Sequence, residues 1–170
     1  MKNFFKVAFL LFATLTLSSC SSDDDSGNNG GDSPSFSLKN ETYNLVPQGS
    51  IIQMIDMDEE GSFAQITISG TKDSKSGTIR FIANFDNSIS GTYTDGEMGT
   101  NGTFDTEGSN YITTELINGS QEIRSEGGAE GTLKITQNQN NNYTVEFDVV
   151  YDDGVVAQGN ITTDFVVQSL

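Results

Sequence analysis

Histidine and tryptophan are absent from this 170-residue chain, which has a single cysteine and only two prolines. Histidine is the commonest general base near neutral pH and the commonest transition-metal ligand. Its absence excludes a Ser-His-Asp triad, and a lone cysteine cannot form an intrachain disulfide. No P-loop, Gly-x-Ser-x-Gly or dinucleotide-binding glycine motif stands in a strand–helix context. These absences predict a protein that is not an enzyme.

Basic residues are also scarce, because 8 Lys and Arg stand against 24 Asp and Glu, for a net charge of −16. Lys2 and Lys6 lie in a predicted leader segment, so the rest of the chain has six basic and 24 acidic residues, a net charge of −18. Nucleic-acid binding needs clusters of Lys and Arg that neutralise phosphates. We therefore expect no nucleic-acid partner, whereas cations, cationic peptides and neutral sugars remain candidate ligands.

The first 19 residues have the pattern of a signal peptide. Lys2 and Lys6 precede an apolar run, residues 7–17, that is too short to span a bilayer. The run ends in Leu17-Ser18-Ser19-Cys20, which resembles the lipobox of bacterial lipoproteins. The resemblance implies cleavage before Cys20 and attachment of lipid to its thiol. An ordinary secretory signal beside an incidental cysteine is the alternative.

Lipid on Cys20 would make the membrane a partner of the chain. One acyl chain gives marginal, reversible binding, whereas two or more hold stably at about 0.8 kcal/mol per buried CH₂. The predicted mature protein is therefore anchored to a membrane by lipid.

Ser22, Asp23, Asp24 and Asp25 follow the cysteine closely. They resemble the surface-export signal of lipoproteins from Bacteroidetes, a Ser or Lys followed by two or three acidic residues. The residue after the cysteine is Ser21, so the aspartate of the usual inner-membrane retention signal is missing. The resemblance implies an outer-membrane lipoprotein on the surface of a Gram-negative cell. A plain solvated linker is the alternative.

Composition divides the chain into three parts. Residues 1–19 are the predicted signal peptide, and residues 20–35 form a linker rich in Ser, Gly, Asn and Asp. Such a linker buries too little apolar surface to offset its ordering entropy, and it reaches about 20 Å as a random coil. Residues 36–170 have a length that suits one domain.

The domain has the pattern of strands throughout, without a helical stripe. Ile79, Phe81, Ala83 and Phe85 alternate with mostly polar neighbours, as do the odd-numbered residues from Tyr143 to Val149. The predicted strands are Phe63–Ser69, Thr78–Phe85, Gly131–Thr136, Tyr143–Tyr151 and Val155–Gln168.

Turn residues stand between these strands. They are Gly70, Asp73-Ser74, Asp86-Asn87, Asp95-Gly96, Asn101-Gly102, Asn118-Gly119 and Asp153-Gly154. Short strands at this spacing predict an all-β fold, an antiparallel β-sandwich or alternatively an open, lipocalin-like β-barrel.

Two segments have the same order of predicted strands, which suggests an internal repeat of a three-strand meander. Ile66 to Thr94 and Leu133 to Thr162 each hold a strand, a long strand ending in an aromatic residue and Asp, and a third strand. Generic alternation is the competing explanation of the likeness.

Several short motifs resemble those of small Bacteroidetes lipoproteins. They are Phe36, Leu38, Tyr43 and Leu45, then Gly91 to Thr94, Gly131 to Leu133, and Tyr143 to Val145. The resemblance implies an antiparallel β-sandwich of unknown activity and carries no catalytic residues.

Acidic loops are the candidates for metal binding. Asp56, Asp58, Glu59 and Glu60 could supply several of the six to eight oxygens that Ca²⁺ takes, as could Asp95, Glu97 and Asn101. Neither group matches an EF-hand loop, and solvated charge is the alternative. A glycosidase-type carboxylate pair is the one catalytic use considered, and it is disfavoured since the first cluster precedes Gly61 in a loop.

Aromatic residues offer one further hypothesis. Tyr93, Tyr111 and Tyr151 could form an exposed stacking face for a glycan, although core packing explains most aromatic residues at strand positions. We therefore expect a non-enzymatic surface module that binds a glycan or protein ligand and needs no cofactor. A structural or adhesin-like protein that pairs through an edge strand is the alternative, and a carrier of a small apolar ligand is a distant one.

Overall fold

The computed structural model describes residues 33–46, 48–57, 61–115, 122–124 and 128–169. These residues form strands and no helix, which confirms the all-β prediction. The strands are β1 (Ser35–Leu38), β2 (Glu41–Leu45), β3 (Ile51–Met57), β4 (Gly61–Lys72), β5 (Lys75–Phe85), β6 (Gly91–Gly96), β7 (Thr103–Asp105), β8 (Asn110–Glu115), β9 (Glu122–Arg124), β10 (Ala129–Gln139), β11 (Asn142–Tyr151), β12 (Val156–Asp164) and β13 (Val166–Ser169).

Hydrogen-bonded ladders join these strands into one mixed sheet. The order β4-β2-β1-β12-β11-β10-β6-β7-β5 returns to β4, so these strands form a ring of ladders. β3 and β13 extend from β4, and β8 and β9 extend from β5. The β13–β3 and β6–β7 ladders are parallel, so the sheet is not purely antiparallel. A sandwich and an open barrel are both compatible with this arrangement.

Side chains from opposite parts of the ring meet in the core. The ring of Phe147 lies 5.4 Å from that of Phe81 and 6.5 Å from that of Phe36, measured between centroids. Alternation places one set of side chains from each strand on the inside. Most predicted inward residues are buried, namely Ile79, Phe81 and Ala83 on β5, and Tyr143, Val145, Phe147 and Val149 on β11. At the end of β5 the alternation fails, because Phe85 is only partly buried and Asn84, predicted to face outward, is 3 % exposed.

Two glycines let the β1–β2 hairpin approach the β4–β5 hairpin closely. Gly70 and Gly77 are partners in the β4–β5 ladder. A Cβ atom would lie 2.8 Å from the ring of Phe36 at Gly70 and 2.9 Å from the ring of Tyr43 at Gly77. Those two rings stack with centroids 5.6 Å apart. The prediction of a turn at Gly70 is therefore wrong, because this glycine lies inside β4 and makes room for an aromatic ring.

The β-hairpin turns use residues that tolerate positive φ. Lys39 and Asn40 join β1 to β2 with φ values of 55° and 60°, the pattern of a type I′ turn that matches strand twist. Asp73 in the β4–β5 turn has φ 51°. The predicted turns at Asp73-Ser74 and Asp153-Gly154 are confirmed.

The C-terminal part of the chain differs from the prediction in two ways. The predicted strand Val155–Gln168 is two strands, because Phe165 is buried and its N–H bonds the carbonyl of Asn141. The chain then leaves β11 and joins β3 in parallel. At the other end of the domain, β1 begins at Ser35, the last residue of the predicted linker.

The expected repeat of a three-strand meander is wrong at its third strand. β10, β11 and β12 pair consecutively, and β4 pairs with β5 in the same manner. β6, however, pairs with β10 and β7. Only the first hairpin of the proposed repeat, β4–β5 and β10–β11, therefore occurs twice.

Candidate functional site

A cleft of about 270 Å³ opens where the β1–β2 turn, the start of β5 and the end of β8 come together. We call it the lysine cleft, since lysines contribute two of its walls. Its lining residues are Lys39, Glu41, Tyr43, Lys75, Thr113, Thr114 and Glu115.

Glu41 and Lys75 form one wall through an ion pair. The Lys75 Nζ lies 2.9 Å and 3.1 Å from the two carboxylate oxygens of Glu41, and the Lys72 Nζ lies 3.3 Å from one of them. The hydrogen bond from Lys75 lowers the pKa of Glu41 from 4.5 to about 2, against the opposing effect of desolvation. The same contact raises the pKa of Lys75. Both groups are therefore charged at neutral pH.

Gly77 has no side chain, and this leaves room for the residue that supports the floor of the cleft. The ring of Tyr43 lies over this glycine, and its hydroxyl donates to a carboxylate oxygen of Glu41 at 3.1 Å. Thr113 is the partner of Gly77 in the β5–β8 ladder, so its side chain stands beside the same ring. Desolvation, followed by the contact with Glu41, raises the pKa of Tyr43 to about 12. A buried aromatic ring thus supports the floor, with Thr113 beside it.

Thr113 adds a hydroxyl without a protein partner to the lining of the cleft. The residue is only 8 % exposed, and its hydroxyl makes no hydrogen bond within the part of the chain that the structure describes. The hydroxyl is nevertheless not among the side-chain atoms closed off from solvent. It is therefore available to a molecule that enters the cleft.

Lys39 forms the opposite wall with its charge unpaired. Its Nζ lies 5.7 Å from the centroid of the Tyr111 ring, a cation–π distance. Among the described residues it forms no ion pair, whereas Lys72, Lys75 and Lys134 all do. The position of Lys39 is fixed by the β1–β2 turn and by its N–H, which bonds the carbonyl of Val156.

Tyr111, whose ring lies under the Lys39 ammonium group, is itself held in place by two contacts. Its hydroxyl donates to Asp153 at 2.6 Å, and its ring packs edge-on against Tyr151 with centroids 4.8 Å apart. Desolvation is the main cause that raises the pKa of Tyr111, and the contact with Asp153 acts in the same direction. The ring below Lys39 is therefore held between β8, the end of β11 and the turn that follows it.

A second concave surface, of about 760 Å³, lies at the β10–β11 turn. Three of its six side-chain amides, those of Gln137, Asn138 and Asn142, donate hydrogen bonds within the described residues. Asn138 donates to Asn142 and Thr144, and Asn142 donates to Asp164. The lining residues are Gln137, Asn138, Gln139, Asn140, Asn141, Asn142, Asp164 and Phe165. This surface has no basic side chain in its lining, so it is a weaker candidate than the lysine cleft for a charged ligand.

The lipobox residues Leu17, Ser18 and Ser19, the lipidation site Cys20, and the export-signal residues Ser22, Asp23, Asp24 and Asp25 lie outside the described residues. Their roles stay predictions. The same holds for Asp58, Glu59 and Glu60 of the first calcium candidate, while the backbone of Asp56 belongs to β3.

The second calcium candidate has other partners in the structure. Asp95 accepts from the N–H of Gly131 at 3.3 Å, and Asn101 donates to Asp86 at 2.6 Å. Within the described ranges, no group of three or more acidic residues is placed to hold a metal ion.

The hypothesis of an exposed tyrosine face is wrong. Tyr93, Tyr111 and Tyr151 are all at most 2 % exposed. Alternation along β6, β8 and β11 places each of them in the core, so none presents its ring to a sugar.

Sequence reasoning did not find the lysine cleft. Lys39, Lys72 and Lys75 are half of the six basic residues that follow the predicted leader, and all flank predicted or observed turns. That clustering was a usable signal. The pairing of Thr113 with Gly77 cannot be predicted from local sequence, because it depends on the long-range β5–β8 ladder.

Among the residues that the structure describes, no helix is long and apolar enough to cross a membrane. Comparisons with family models, with curated proteins and with solved structures give no match for this chain.

Proposed function

We propose that this chain is a lipid-anchored envelope protein whose β domain is a non-enzymatic binding module, with the lysine cleft as its binding site. The observation that carries the proposal is that Lys39, which forms no ion pair among the described residues, lines the same cleft as the Glu41–Lys75 ion pair. A site that contains an unpaired hydroxyl, which can donate and accept, and an unpaired ammonium group suits a polar ligand.

The titratable groups of the cleft favour binding over acid–base catalysis. A general base works best when its pKa lies near the working pH. Glu41, with a pKa of about 2, is a poor proton acceptor at neutral pH, and Tyr43, with a pKa of about 12, is a poor proton donor. The contacts of Glu41 with two lysines hold those side chains in place, as a binding site requires.

The anchor rests on the sequence pattern around Cys20. Leu17, Ser18 and Ser19 before the cysteine support cleavage and lipidation, and the acidic residues 23–25 after it support export to the outer surface of the outer membrane. In this proposal the linker holds the domain, and with it the cleft, away from the lipid headgroups.

Labelling with palmitate and protease shaving of intact cells test the anchor and the address. Wild-type protein should take up the label and lose its domain on shaving, whereas Cys20→Ser should be unlabelled and leave the membrane. A variant with Asp23, Asp24 and Asp25 all changed to Ala is the control for the address and should become protected from protease. Membrane retention of Cys20→Ser contradicts the anchor, and protection of the labelled wild type contradicts surface display.

An adhesin-like protein that pairs through an edge strand is the second candidate. β13 pairs with β3 alone in the described part of the sheet, and Val166 on it is 39 % exposed. A free strand edge can accept a strand from another protein. Val166→Lys should abolish a partner complex formed in this way and leave ligand binding at the cleft unchanged.

A carrier of apolar molecules fits the core less well. The rings of Phe36, Phe81 and Phe147 approach one another across the interior. These contacts fill space that an internal ligand would need, so they favour binding at the surface.

A further inference from the structure

We infer that the lysine cleft binds a small sugar acid, a ligand of monosaccharide size with a single carboxylate that lies between Lys39 and Lys75. This inference rests on the proposed binding function of the cleft and names the chemistry of its ligand.

The cleft has a surplus of hydrogen-bond donors. The ammonium group of Lys39 has three N–H donors and makes no hydrogen bond within the described residues, and Lys75 retains donor capacity beyond its contacts with Glu41. The hydroxyl of Thr113 adds one more donor. A carboxylate accepts only, and hydrogen bonds between charged partners are about twice as strong as neutral ones. The unpaired charge of Lys39 thus selects an anion.

The rest of the lining suits sugar hydroxyls. The carboxylates of Glu41 and Glu115 accept hydrogen bonds, and a threonine hydroxyl can both donate and accept. The ring of Tyr43 is only 1 % exposed, so it supports the floor and offers no face for stacking. A volume of about 270 Å³ corresponds to roughly nine water molecules, which is the space of one sugar ring with its substituents.

The charge of the whole chain limits the ligand to one negative charge. The net charge is −16, and Glu41, Glu115 and Asp73 stand beside Lys75. A polyanion such as a polyphosphate would be repelled by this field. A single carboxylate, by contrast, can be neutralised locally by Lys39.

Isothermal titration calorimetry on the detergent-solubilised, lipidated protein tests the inference, with glucuronate, glucose and acetate as probes. Glucuronate should bind, glucose should bind at least about tenfold more weakly because it lacks the carboxylate, and acetate should not bind measurably. Lys39→Gln should weaken glucuronate binding at least about tenfold. Lys134→Gln, which removes a lysine outside the cleft that pairs with Glu146, should leave it unchanged.

A second variant guards against a merely structural effect. Thr113→Val should weaken glucuronate binding about fivefold or more while the unfolding midpoint does not fall. Equal weakening by Lys39→Gln and Lys134→Gln overturns the placement of the carboxylate at Lys39.

The remaining outcomes separate the two proposals. Glucose binding as tightly as glucuronate overturns the sugar-acid inference and leaves the binding function standing. Acetate binding as tightly as glucuronate reduces the cleft to a site for an adventitious ion only. If none of the three binds, the inference fails, and the binding function is then decided by whether any compound of a wider small-molecule library shifts the unfolding midpoint of wild type but not of Thr113→Val.

Discussion

At the scale of single residues, Thr113 allows the stability of the fold to be separated from the proposed binding. The residue is 8 % exposed, and its hydroxyl makes no hydrogen bond to a described residue but is not closed off from solvent. Valine has the same shape without the hydroxyl, so Thr113→Val removes a group to which no described residue bonds.

The first prediction concerns the stability of Thr113→Val. The free energy of unfolding should stay the same or rise, by at most about 1 kcal/mol, because the hydroxyl has no partner to lose. Thr78→Val is the matched control, since the Thr78 hydroxyl bonds that of Ser69 at 3.0 Å, and it should cost about 1 kcal/mol. Denaturant unfolding followed by circular dichroism measures both. Equal losses in the two variants would show that Thr113 has a structural partner after all.

The second prediction concerns Gly77, which admits the ring of Tyr43. Gly77→Ala should lower the free energy of unfolding by about 1–3 kcal/mol, because its methyl group would meet the ring at 2.9 Å. Gly91→Ala is the control: its nearest neighbour, the ring of Tyr93, lies 3.6 Å away, so this change should be neutral or slightly stabilising. Thermal unfolding of both variants decides the matter, and an unaffected Gly77→Ala would refute the close packing described for the cleft floor.

At the scale of strands, alternation carried most of the predictive information. Except at the end of β5, where Asn84 is buried and Phe85 only partly so, the inward residues of β5 and β11 follow from period two, because each face of a strand has one environment. Alternation could not predict that the C-terminal strand is divided in two at Phe165. A buried phenylalanine at an alternating position looks like a continuing strand, and only pairing with Ser50 and β3 shows that the chain has changed partners.

The candidate site was harder to predict than the strands, for the same physical reason. Lys39, Lys75 and Thr113 lie on three elements that meet only when β2 pairs with β4 and β5 pairs with β8. Local sequence determines turn residues such as Asn40 and Asp73, but the register of distant strands depends on the packing of the whole core. The functional hypotheses drawn from sequence therefore favoured acidic loops and tyrosines, which are prominent locally.

The third prediction tests how β8 is joined to the β11–β12 turn. Tyr111→Phe removes the hydrogen bond to Asp153 but keeps the ring below Lys39, so it should lower the free energy of unfolding by about 1 kcal/mol. Asp153→Asn serves for a double-mutant cycle, and the coupling between the two changes should account for most of the loss. Glucuronate binding should change little, since the ring is retained. Additive effects of the two single changes would mean that the hydrogen bond contributes nothing to stability.

At the scale of the whole molecule, none of the acidic side chains whose burial is described belongs to the core. The described ion pairs involve only Glu41 and Glu146 among the carboxylates. The charged groups therefore add little to folding, and the stability of the domain comes from its aliphatic and aromatic core. Within that core, the tyrosines are the titratable groups whose protonation is coupled most directly to folding.

Burial gives these tyrosines a common response to alkaline pH. Desolvation is the main cause that raises the pKa of Tyr43 and Tyr93 from 10.0 to about 12, and it also raises the pKa values of Tyr111, Tyr143 and Tyr151. An unfolded chain releases these protons near pH 10, whereas the native protein keeps them, so the native state binds more protons above that pH. The stability due to these groups is complete below pH 10 and is lost as the pH rises through about 12.

The fourth prediction is that alkaline unfolding precedes tyrosine ionisation. Each tyrosine protonated in the native state but ionised in the unfolded one lowers stability by about 1.4 kcal/mol per pH unit, so the five together should unfold the protein before any ring titrates within the fold. Near-ultraviolet absorbance of tyrosinate and circular dichroism should therefore change together in one transition above pH 10. The raised pKa of Lys75 acts in the same direction, and Lys75→Gln shows how much of the transition it causes. Tyrosinate absorbance that grows near pH 10 while the circular dichroism stays native would mean that at least one ring is open to solvent. The buried positions assigned to Tyr43 in the cleft floor and to Tyr111 behind Lys39 would then need revision.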